Sequence, residues 1–398
     1  MLYLAKANHL NVLLQHTRIN RNTGRFQLHL WTVLSVTLTL AALVSASEAY
    51  ACAACGDTLC TDWGSQGVST AQGFSADLSY SYLNQNQQRY GSGKASITQI
   101  NALNAAGQEI EAYTRTQIVT ASLNYTGDEF GTSIQVPFLN RTHGTYGNGP
   151  APVGSGYTTS ADNGIGDVRV IGRYTGFSDD KTSGIIAGVK LPTGNTGQLF
   201  TSGSNAGLAL DAGLQIGTGS TDVILGGYTS GAISSYGWFA QGTVQHAVAT
   251  DAALGGATYR PGDAYTLNAG IRHAEFGAKI TPMLQLNIIK RQADTGTGVP
   301  SDALTGVPIS GGTLVYLAPG ASMRLGGGMS FYGFIQLPIY QSVNSLQLVP
   351  QYTLTLGVRQ SLLIFPEACA CEHQIRRPVQ GSTARHSPAD TLARHPCR

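Results

Sequence analysis

The chain has 398 residues, of which only 12% are charged and 50 are glycine. Ordinary soluble domains contain about 25% charged residues and about 7% glycine, so this composition disfavours soluble domains and suits a lipid-facing β-barrel with a neutral polar interior. A net charge of +2 is too small to indicate a nucleic-acid-binding protein. Only one apolar stretch approaches the length of a membrane-spanning helix, which argues against a helical membrane protein.

That apolar stretch lies near the N-terminus and predicts a signal peptide over residues 1–51. Three arginines precede an apolar run over 28–44, and small residues follow as far as Ala49-Tyr50-Ala51. A basic region, an apolar core and an A-x-A site are the parts of a secretory leader, with cleavage after Ala51. An N-terminal membrane anchor and a lipoprotein are the competing interpretations. The first twenty or so residues make this leader longer than usual, so translation from a later start codon is a further alternative.

A cluster of cysteines, Cys52, Cys55 and Cys60, begins the predicted mature chain, within a periplasmic segment over 52–73. Covalent c-type haem would need a histidine where Gly56 stands, so this cofactor is disfavoured. A disulfide or mixed-thiol anchor, a soft-metal or redox site, and no function all stay open for these thiols. No other cofactor is predicted. Residues 56–73 are long enough to enter a barrel lumen as a plug.

The region from residue 74 to residue 362 predicts a transmembrane antiparallel β-barrel of about twelve strands. The first strand places Phe74, Ala76 and Leu78 on one face and Ser75 and Asp77 on the other. Successive side chains in a strand point to opposite faces, and an outer-membrane barrel turns the apolar face to lipid.

Loop lengths support the same prediction. The predicted short turns are Gly127–Glu129, Phe177–Lys181, Ile233–Tyr236, Phe276–Lys279 and Gly326–Gly328. The predicted long connections are Gln85–Ala112, Asn140–Asn163, Thr193–Gly219, Thr250–Gly262, Ala293–Gly311 and Gln341–Pro350. Long and short connections alternate throughout, as outside loops and periplasmic turns do in such barrels. The segment 208–216 also alternates like a strand, but parity places it inside the third long loop, as a strand extension above the membrane.

Aromatic residues near the strand ends fit interfacial girdles, although β-propensity also favours them. They are Tyr125, Phe138, Tyr174, Trp238, Tyr265, Tyr340 and Tyr352.

Several short motifs recur in a fixed order along the barrel region. "NGIGD" at 163–167 is followed by "KLPTG" at 190–194 and by "GTGSTD" at 217–222, with further similarity at 259–263 and 336–341. In this the chain resembles the bacterial outer-membrane transporter family named for the MetA pathway of phenol degradation. The resemblance implies a single barrel for the passage of small, often aromatic or hydrophobic compounds, and it carries over no catalytic residues. From physical reasoning, Gly164 and Gly166 are expected to allow a turn with positive φ, and Pro192 to end a strand.

The polar phase of the strands predicts which charges line the lumen. Four arginines fall near the periplasmic mouth, and two further basic residues and two acidic residues share the lumen phase. These are Arg173, Arg272, Arg324 and Arg359, then Arg169 and Lys190, and finally Asp77 and Asp167. Rings of basic residues serve anion pores, so one interpretation is a basic constriction that favours anions. The other is that the arginines pair with turn carboxylates or with the N-terminal segment.

Apolar residues also take the inward phase, and they suit either a hydrophobic ligand or an internal plug. They are Ile118, Ile171, Ile186, Phe239, Tyr316, Tyr332 and Phe334.

An enzyme is disfavoured, because the barrel region contains only three histidines and no recognisable triad spacing. His143 lies in a predicted external loop, and His246 and His273 lie on the face assigned to lipid.

The last segment, over 363–398, is basic and rich in proline, with no strand pattern, and it predicts a disordered periplasmic tail or a sequence artefact.

Taken together, the sequence predicts an outer-membrane channel for passive uptake of small aromatic or hydrophobic compounds, anions among them. Its expected partners are the lipid bilayer, lipopolysaccharide and a small-molecule solute, with no nucleic acid. The alternative is a barrel scaffold for a periplasmic redox or metal-handling partner, a cytochrome or a copper protein, contacted by the N-terminal cysteines.

Overall fold

The computed structural model describes residues 72–146, 156–251, 258–273 and 279–362. The predicted signal peptide, all six cysteines and the basic tail lie outside these ranges. The predictions made for them therefore stay predictions.

The described chain forms one antiparallel sheet of thirteen strands. They are β1 (Gly73–Gly91), β2 (Gly93–Lys94), β3 (Ile110–Thr126), β4 (Phe130–Tyr146), β5 (Tyr157–Ile165), β6 (Val168–Tyr174), β7 (Ser183–Leu191), β8 (Ser220–Ile233), β9 (Tyr236–Thr250), β10 (Ala264–His273), β11 (Ile280–Arg291), β12 (Gly312–Gly326) and β13 (Met329–Ser361). Apart from β2 and β5, strands that are consecutive along the chain pair with each other, and β13 pairs back onto β1, so the sheet closes into a barrel. Eleven strands make up the closed wall, while β2 and β5 lie outside it.

The wall is apolar outside and polar inside. On β1, Leu78 is 56% exposed, whereas Ser75 and Ser81 are 7% and 1% exposed. On β11, the inward Gln285 and Asn287 are 1% and 0% exposed. Other exposed apolar residues on the outer surface are Leu123, Ile134, Val136, Phe138, Ile185, Leu225, Ile271 and Leu337. A soluble barrel would bury the apolar face, so this pattern is the one expected of a wall surrounded by lipid.

The last strand, β13, is 33 residues long and does not match the predicted loop over Gln341–Pro350. Its first part pairs with β12 as far as Val343, and its second part pairs with β1 from Val343 onward. Pairing with one neighbour begins where pairing with the other ends, so there is no unpaired loop between them. Only Ser345, at φ 52°, has the left-handed backbone of a tight reversal. The predicted count of twelve strands is therefore not confirmed.

Short connections gather at one end of the barrel, which we call the turn end; the opposite end is the loop end. Four predicted turns are found: Gly127–Glu129, Phe177–Lys181, Ile233–Tyr236 and Gly326–Gly328. The fifth, Phe276–Lys279, falls mostly outside the described residues. Aromatic rings pack around the turn end, with centroid distances of 5.1 Å between Phe74 and Tyr125, 4.7 Å between Phe130 and Tyr174, and 4.9 Å between Tyr174 and Phe177.

At the loop end the strands run further than the sequence predicted. β1 continues to Gly91 and β4 to Tyr146, where β4 pairs with β5 above the wall. The predicted loops Gln85–Ala112 and Asn140–Asn163 therefore begin and end as strand, because the backbone groups at this height find partners in a neighbouring strand. The first loop also holds a helix, α1 (Ile97–Ala105), which begins with a capping box between Ser96 and Gln99. No helix among the described residues has the length and apolar character needed to cross a bilayer.

Candidate functional site

The strand register places the predicted lumen charges in the same phase as the buried polar residues of the wall. Residues directly opposite each other on antiparallel strands point to the same face. The opposite pairs are Asp77 and Arg359, Gln135 and Arg169, Arg169 and Lys190, Gly131 and Arg173, Gly237 and Arg272, and Arg324 and Ser330. Asp167 lies between β5 and β6 and is only 9% exposed.

At the turn end, Asp77 and Arg359 belong to a polar cluster where β13 meets β1. Asp77 Oδ1 accepts a hydrogen bond from the Tyr332 hydroxyl at 2.9 Å, and Tyr332 is fully buried. The Arg359 guanidinium donates to Ser75 Oγ at 3.0 Å. Arg324 lies at the end of β12 and is exposed. Arg359 thus lies opposite a carboxylate of the barrel wall, which is neither of the partners that the sequence suggested.

Two further arginines at the turn end lie flat across glycines of the neighbouring strand. A Cβ atom at Gly131 would come within 2.5 Å of Arg173 Nε, and one at Gly237 within 2.7 Å of Arg272 Cζ. Arg173 also donates to Thr126 Oγ1 at 3.1 Å. Because Gly131 and Gly237 have no side chain, each guanidinium has room to lie along the inner wall at these positions.

Lys190 sits between two carboxylates at the loop end. Its Nζ is 3.4 Å from Asp167 Oδ2 and 3.0 Å from Asp222 Oδ2, and Lys190 is only 2% exposed. The same Nζ donates to Ser220 Oγ at 3.0 Å and to the Thr218 hydroxyl. Lys190 takes the inward phase predicted for it, and its charge is enclosed and balanced by two acids.

Asp167 ties the two ends of the third loop together. We call residues 192–219 the third loop. The Asp167 carboxylate accepts hydrogen bonds from Gly194 N at 3.1 Å, from Thr218 N at 2.9 Å and from Thr218 Oγ1 at 2.6 Å. The ends touch closely, because a Cβ at Gly194 would lie 2.5 Å from Gly217 Cα. The motifs at 163–167, 190–194 and 217–222 thus meet at one place, which we call the clamp: Asp167, Lys190, Gly194, Thr218 and Asp222.

The glycines of the first motif act by close packing and not by backbone freedom. Neither Gly164 nor Gly166 has a positive φ, so that expectation is wrong. A Cβ on Gly166 would instead lie 2.6 Å from Leu139 Cδ1. Thr193 Oγ1 accepts from Val168 N at 2.9 Å and donates to Gly166 O at 2.7 Å. As predicted, β7 ends immediately before Pro192-Thr193-Gly194.

From the clamp the third loop folds against the inner face of β4. Arg141, which is 8% exposed, donates to the carbonyl oxygen of Gln215 at 2.9 Å. His143 is fully buried, and its ring centroid is 6.3 Å from that of Phe200. Arg141 and His143 share the inward phase of β4, so the loop lies over inward side chains. The expectation that His143 lies in an external loop is wrong, because β4 continues through it.

The body of the third loop contains the segment 208–216, which is not a barrel strand. The loop placement is confirmed, but the segment forms a 3-10 turn, Ala212–Leu214, and not a strand extension. Phe200, Leu210 and Leu214 pack together as a small buried cluster. The cluster buries Leu210 and Leu214, two of the residues that a strand would have placed on one face, whereas Leu208 is exposed.

Inward apolar residues are also buried along the wall of the barrel. Tyr332 and Phe334 are 0% and 3% exposed and cluster with Met283 and Ala318. Of the predicted set, Ile186, Phe239 and Tyr316 are buried as well, while Ile118 and Ile171 are half-buried. Tyr316 belongs to a second buried cluster, with Ile289, Leu314, Val343 and Val349.

A cavity of about 250 Å³ lies among the loops above this packed region. Four acidic side chains line it: Glu109 just before β3, Glu111 at the start of β3, Asp211 in the third loop, and Asp294 before β12. Burial and the nearby Asp211 raise the pKa of Glu109 to about 7, and burial raises the pKa of Asp211. The cavity is thus an acidic site that is protonated more readily than ordinary carboxylates.

Sequence reasoning missed these acids together with Arg141 and Asp222. Asp222 stood in a motif that we had singled out, but its partner Lys190 is on another strand and no local pattern joins them. Glu109 and Asp211 lie in connections, and Glu111 lies in the part of β3 that the sequence predicted as a loop, so neither strand phase nor spacing predicts which residues they face.

The predicted cysteine site, Cys52, Cys55 and Cys60, lies outside the described residues. Within the described ranges, no group of three or more His, Cys, Asp or Glu side chains is placed to hold a metal ion.

No protein-family model and no curated protein matches the sequence. Among solved structures, an outer membrane channel from Pseudomonas putida F1 matches with a TM-score of 0.54 at 11% identity, covering 76% of this chain and 99% of its own. The β domain of the Bordetella autotransporter BrkA matches with a TM-score of 0.40 at 11% identity, covering 74% of this chain and 100% of its own. The toluene transporter TbuX of Ralstonia pickettii matches with a TM-score of 0.38 at 10% identity, covering 74% of this chain and 90% of its own. Both TM-scores are too low to add an argument. At such identities the likeness establishes the fold alone. The chain is an all-β closed barrel similar in fold to the Pseudomonas channel.

Proposed function

We propose that this protein is an outer-membrane channel for passive uptake of small solutes. The observation that carries the proposal is the outer face of the barrel wall, where apolar side chains such as Leu78, Leu225 and Leu337 are exposed, while polar side chains such as Ser81, Gln285 and Asn287 are buried inside. Such a wall is stable only where lipid surrounds it. The fold likeness to a bacterial outer-membrane channel supports this location, with lipid and lipopolysaccharide around the wall, the turn end in the periplasm and the loop end outside.

We also infer that β13 crosses the membrane twice. Its two parts pair with different neighbours, and the left-handed Ser345 lies between them at the loop end. Counted in this way the wall has twelve crossings, an even number, as expected when both ends of a barrel face the periplasm.

The solutes we propose are small aromatic or hydrophobic compounds. The packed inward side chains of Phe239, Tyr316, Tyr332 and Phe334 support an apolar solute, since aromatic faces bind such compounds. The resemblance to the MetA-pathway-of-phenol-degradation family supports the same class. Arginines along the inner wall at the turn end support a preference for anionic members of it.

Within this proposal the third loop is the constriction. The clamp fixes both of its ends at the wall, and Arg141 holds its middle against the inner face of β4. A loop fastened at three places narrows the path without leaving the barrel. Solutes would pass between the loop and the remaining wall.

Reconstitution tests the proposal. The full chain, purified in detergent and added to planar bilayers, should give stepwise conductance, and proteoliposomes should take up benzoate and benzyl alcohol faster than protein-free liposomes. The heat-denatured protein is the matched control. A folded, β-rich protein that gives neither conductance nor uptake would overturn the channel, and a helix-rich soluble product would overturn the barrel.

A further inference from the structure

The acidic cavity at the loop end is assembled from many separate parts of the chain. Its lining includes Gln88 of β1, the start of β3, the third loop, the connections before β10 and before β12, and the reversal in β13. These segments are far apart in sequence and come together only when the barrel has closed. The cavity is therefore a product of the whole fold.

The charges of this cavity are of one sign. Glu109, Glu111 and Asp211 line it, and none of its described lining residues is lysine or arginine. Asp294 also lines the cavity, but its carboxylate already accepts hydrogen bonds from Arg291 and from Gly262 N. The other three acids share a low-polarity space with no cation from the described lining. Like charges in such a space repel unless they are protonated or meet a positive ligand.

Unsatisfied acceptors in the same place are a second and independent sign of a ligand. Gln347 lines the cavity and is only 4% exposed. Its amide nitrogen donates to the carbonyl oxygens of Gly311 and Asn344, but its Oε1 has no hydrogen-bond partner. Glu109 Oε1 likewise has none. Buried acceptors without a donor are costly, so both oxygens are positioned to receive one from a bound molecule.

The lining also tells which kind of cation fits. Leu214, Ile309, Leu346 and Leu348 supply apolar surface beside the acids. No group of three or more His, Cys, Asp or Glu side chains among the described residues is placed to hold a metal ion. An ammonium group on an apolar body satisfies both parts of the lining, because it donates up to three hydrogen bonds and carries a positive charge.

We propose that this cavity binds a small organic ammonium compound, with its charged nitrogen at Glu109, Asp211 and the Gln347 amide oxygen and its apolar body against Leu346 and Leu348. The proposal goes beyond the proposed function, because it assigns to the loop end a binding site for a cation, whereas the solutes proposed for the path are neutral or anionic. It differs from the anion preference of the turn end, which concerns a different part of the path.

Binding is expected to release protons. The acid at Glu109 is largely protonated below about pH 7, and an ammonium ligand prefers the ionised form. Affinity should therefore rise as the pH increases from 6 to 8. The other groups that face the cavity are Glu111, Asp211, Asp294 and Tyr259, and Tyr259 donates to Asp294 at 3.1 Å.

Calorimetry on the full chain in detergent tests the proposal with benzylamine as the probe. Benzyl alcohol and benzoate are the neutral and anionic probes of the same size, and Ca²⁺ is the metal probe. Glu109→Gln and Asp211→Asn remove one charge each, and Asp179→Asn removes an exposed charge from the turn between β6 and β7 as the matched control. Gel mobility before and after heating shows that each variant is folded.

The expected result is benzylamine binding that is stronger at pH 8 than at pH 6, about tenfold weaker in each cavity variant and unchanged in Asp179→Asn. Equal binding of benzyl alcohol, binding of Ca²⁺ alone, or unchanged affinity in both folded cavity variants would overturn the proposal. Conductance is measured separately. A protein that conducts without binding benzylamine refutes only this inference, and one that binds benzylamine without conducting refutes only the channel.

Discussion

The two ends of the barrel hold their basic side chains in different ways. At the turn end, Arg173 and Arg272 lie along the inner wall over Gly131 and Gly237. At the loop end, Lys190 is enclosed by two carboxylates and by the hydroxyls of the clamp. The difference teaches that a basic residue whose side chain points inward can either line the solute path or stabilise the fold. Enclosed charge should matter for stability, and charge along the wall of the path should matter for selectivity.

The largest effect is expected from Lys190→Ala. This change leaves Asp167 and Asp222 buried without their cation, and breaking a buried pair in this way costs about 3–5 kcal/mol. The heating midpoint of the gel-mobility shift should fall, and the third loop should become sensitive to protease. Lys181→Ala is the control, because Lys181 pairs with Asp128 on the exposed turn end, where such pairs contribute about 0–1 kcal/mol. Equal loss in both variants would contradict the distinction between the two ends.

A pair of glycine substitutions sharpens the same comparison. A Cβ at Gly194 would meet backbone atoms of Gly217, whereas a Cβ at Gly131 would meet the end of the Arg173 side chain. Gly194→Ala should therefore lower stability by about 1–3 kcal/mol, as overpacking does, and open the clamp. Gly131→Ala should displace a flexible guanidinium and alter ion selectivity, with little loss of stability. Urea unfolding and bilayer recordings measure the two effects, and the reverse ranking would refute the packing argument.

Removing the turn-end arginines should change selectivity more than stability. With Arg173, Arg272, Arg324 and Arg359 all replaced by Gln, the preference for anions over cations of similar size should decline. The effect should shrink in 1 M salt, where the screening length is about 3 Å. Reversal potentials across a salt gradient measure it. Unchanged selectivity in the folded quadruple variant would show that these charges are neutralised within the wall.

The smallest effect concerns pH at the loop end. Glu109 has a folded-state pKa raised to about 7, above its usual value of 4.5. An acid with a raised pKa stabilises the fold while it is protonated, so its contribution is lost as the pH rises through 7. The loops should therefore resist protease slightly better at pH 5 than at pH 8. Glu109→Gln should remove part of this difference, and a difference of opposite sign would contradict the assignment.

The barrel wall could be predicted from the sequence because its signal is local. Leu78 and Ser81 show their faces through their neighbours along the same strand, and a short turn such as Gly127–Glu129 fixes the next strand by itself. Strand phase likewise places Arg173 and Arg272 with the inward residues. None of these inferences needs knowledge of a distant part of the chain.

The loop end could not be predicted, since its structure depends on contacts between distant segments. Lys190 has the same phase as the wall arginines, and only the folded position of Asp222 shows that its charge is enclosed. The acidic cavity likewise joins Glu109 to Asp211, which are separated by about a quarter of the chain. β13 was misjudged for a similar reason, because its pairing with β1 continues where the sequence suggested a loop.

The central claim is that the third loop, fastened by the clamp, constricts a conducting barrel. The most direct test replaces residues 198–215 with a short Gly-Ser linker, which removes the contact with Arg141 but keeps Asp167, Lys190 and Thr218 in place. Single-channel conductance in planar bilayers is compared with that of the intact chain. The account predicts a folded protein with clearly larger conductance. Equal conductance in the two proteins would contradict the account, since the loop would then not lie in the path.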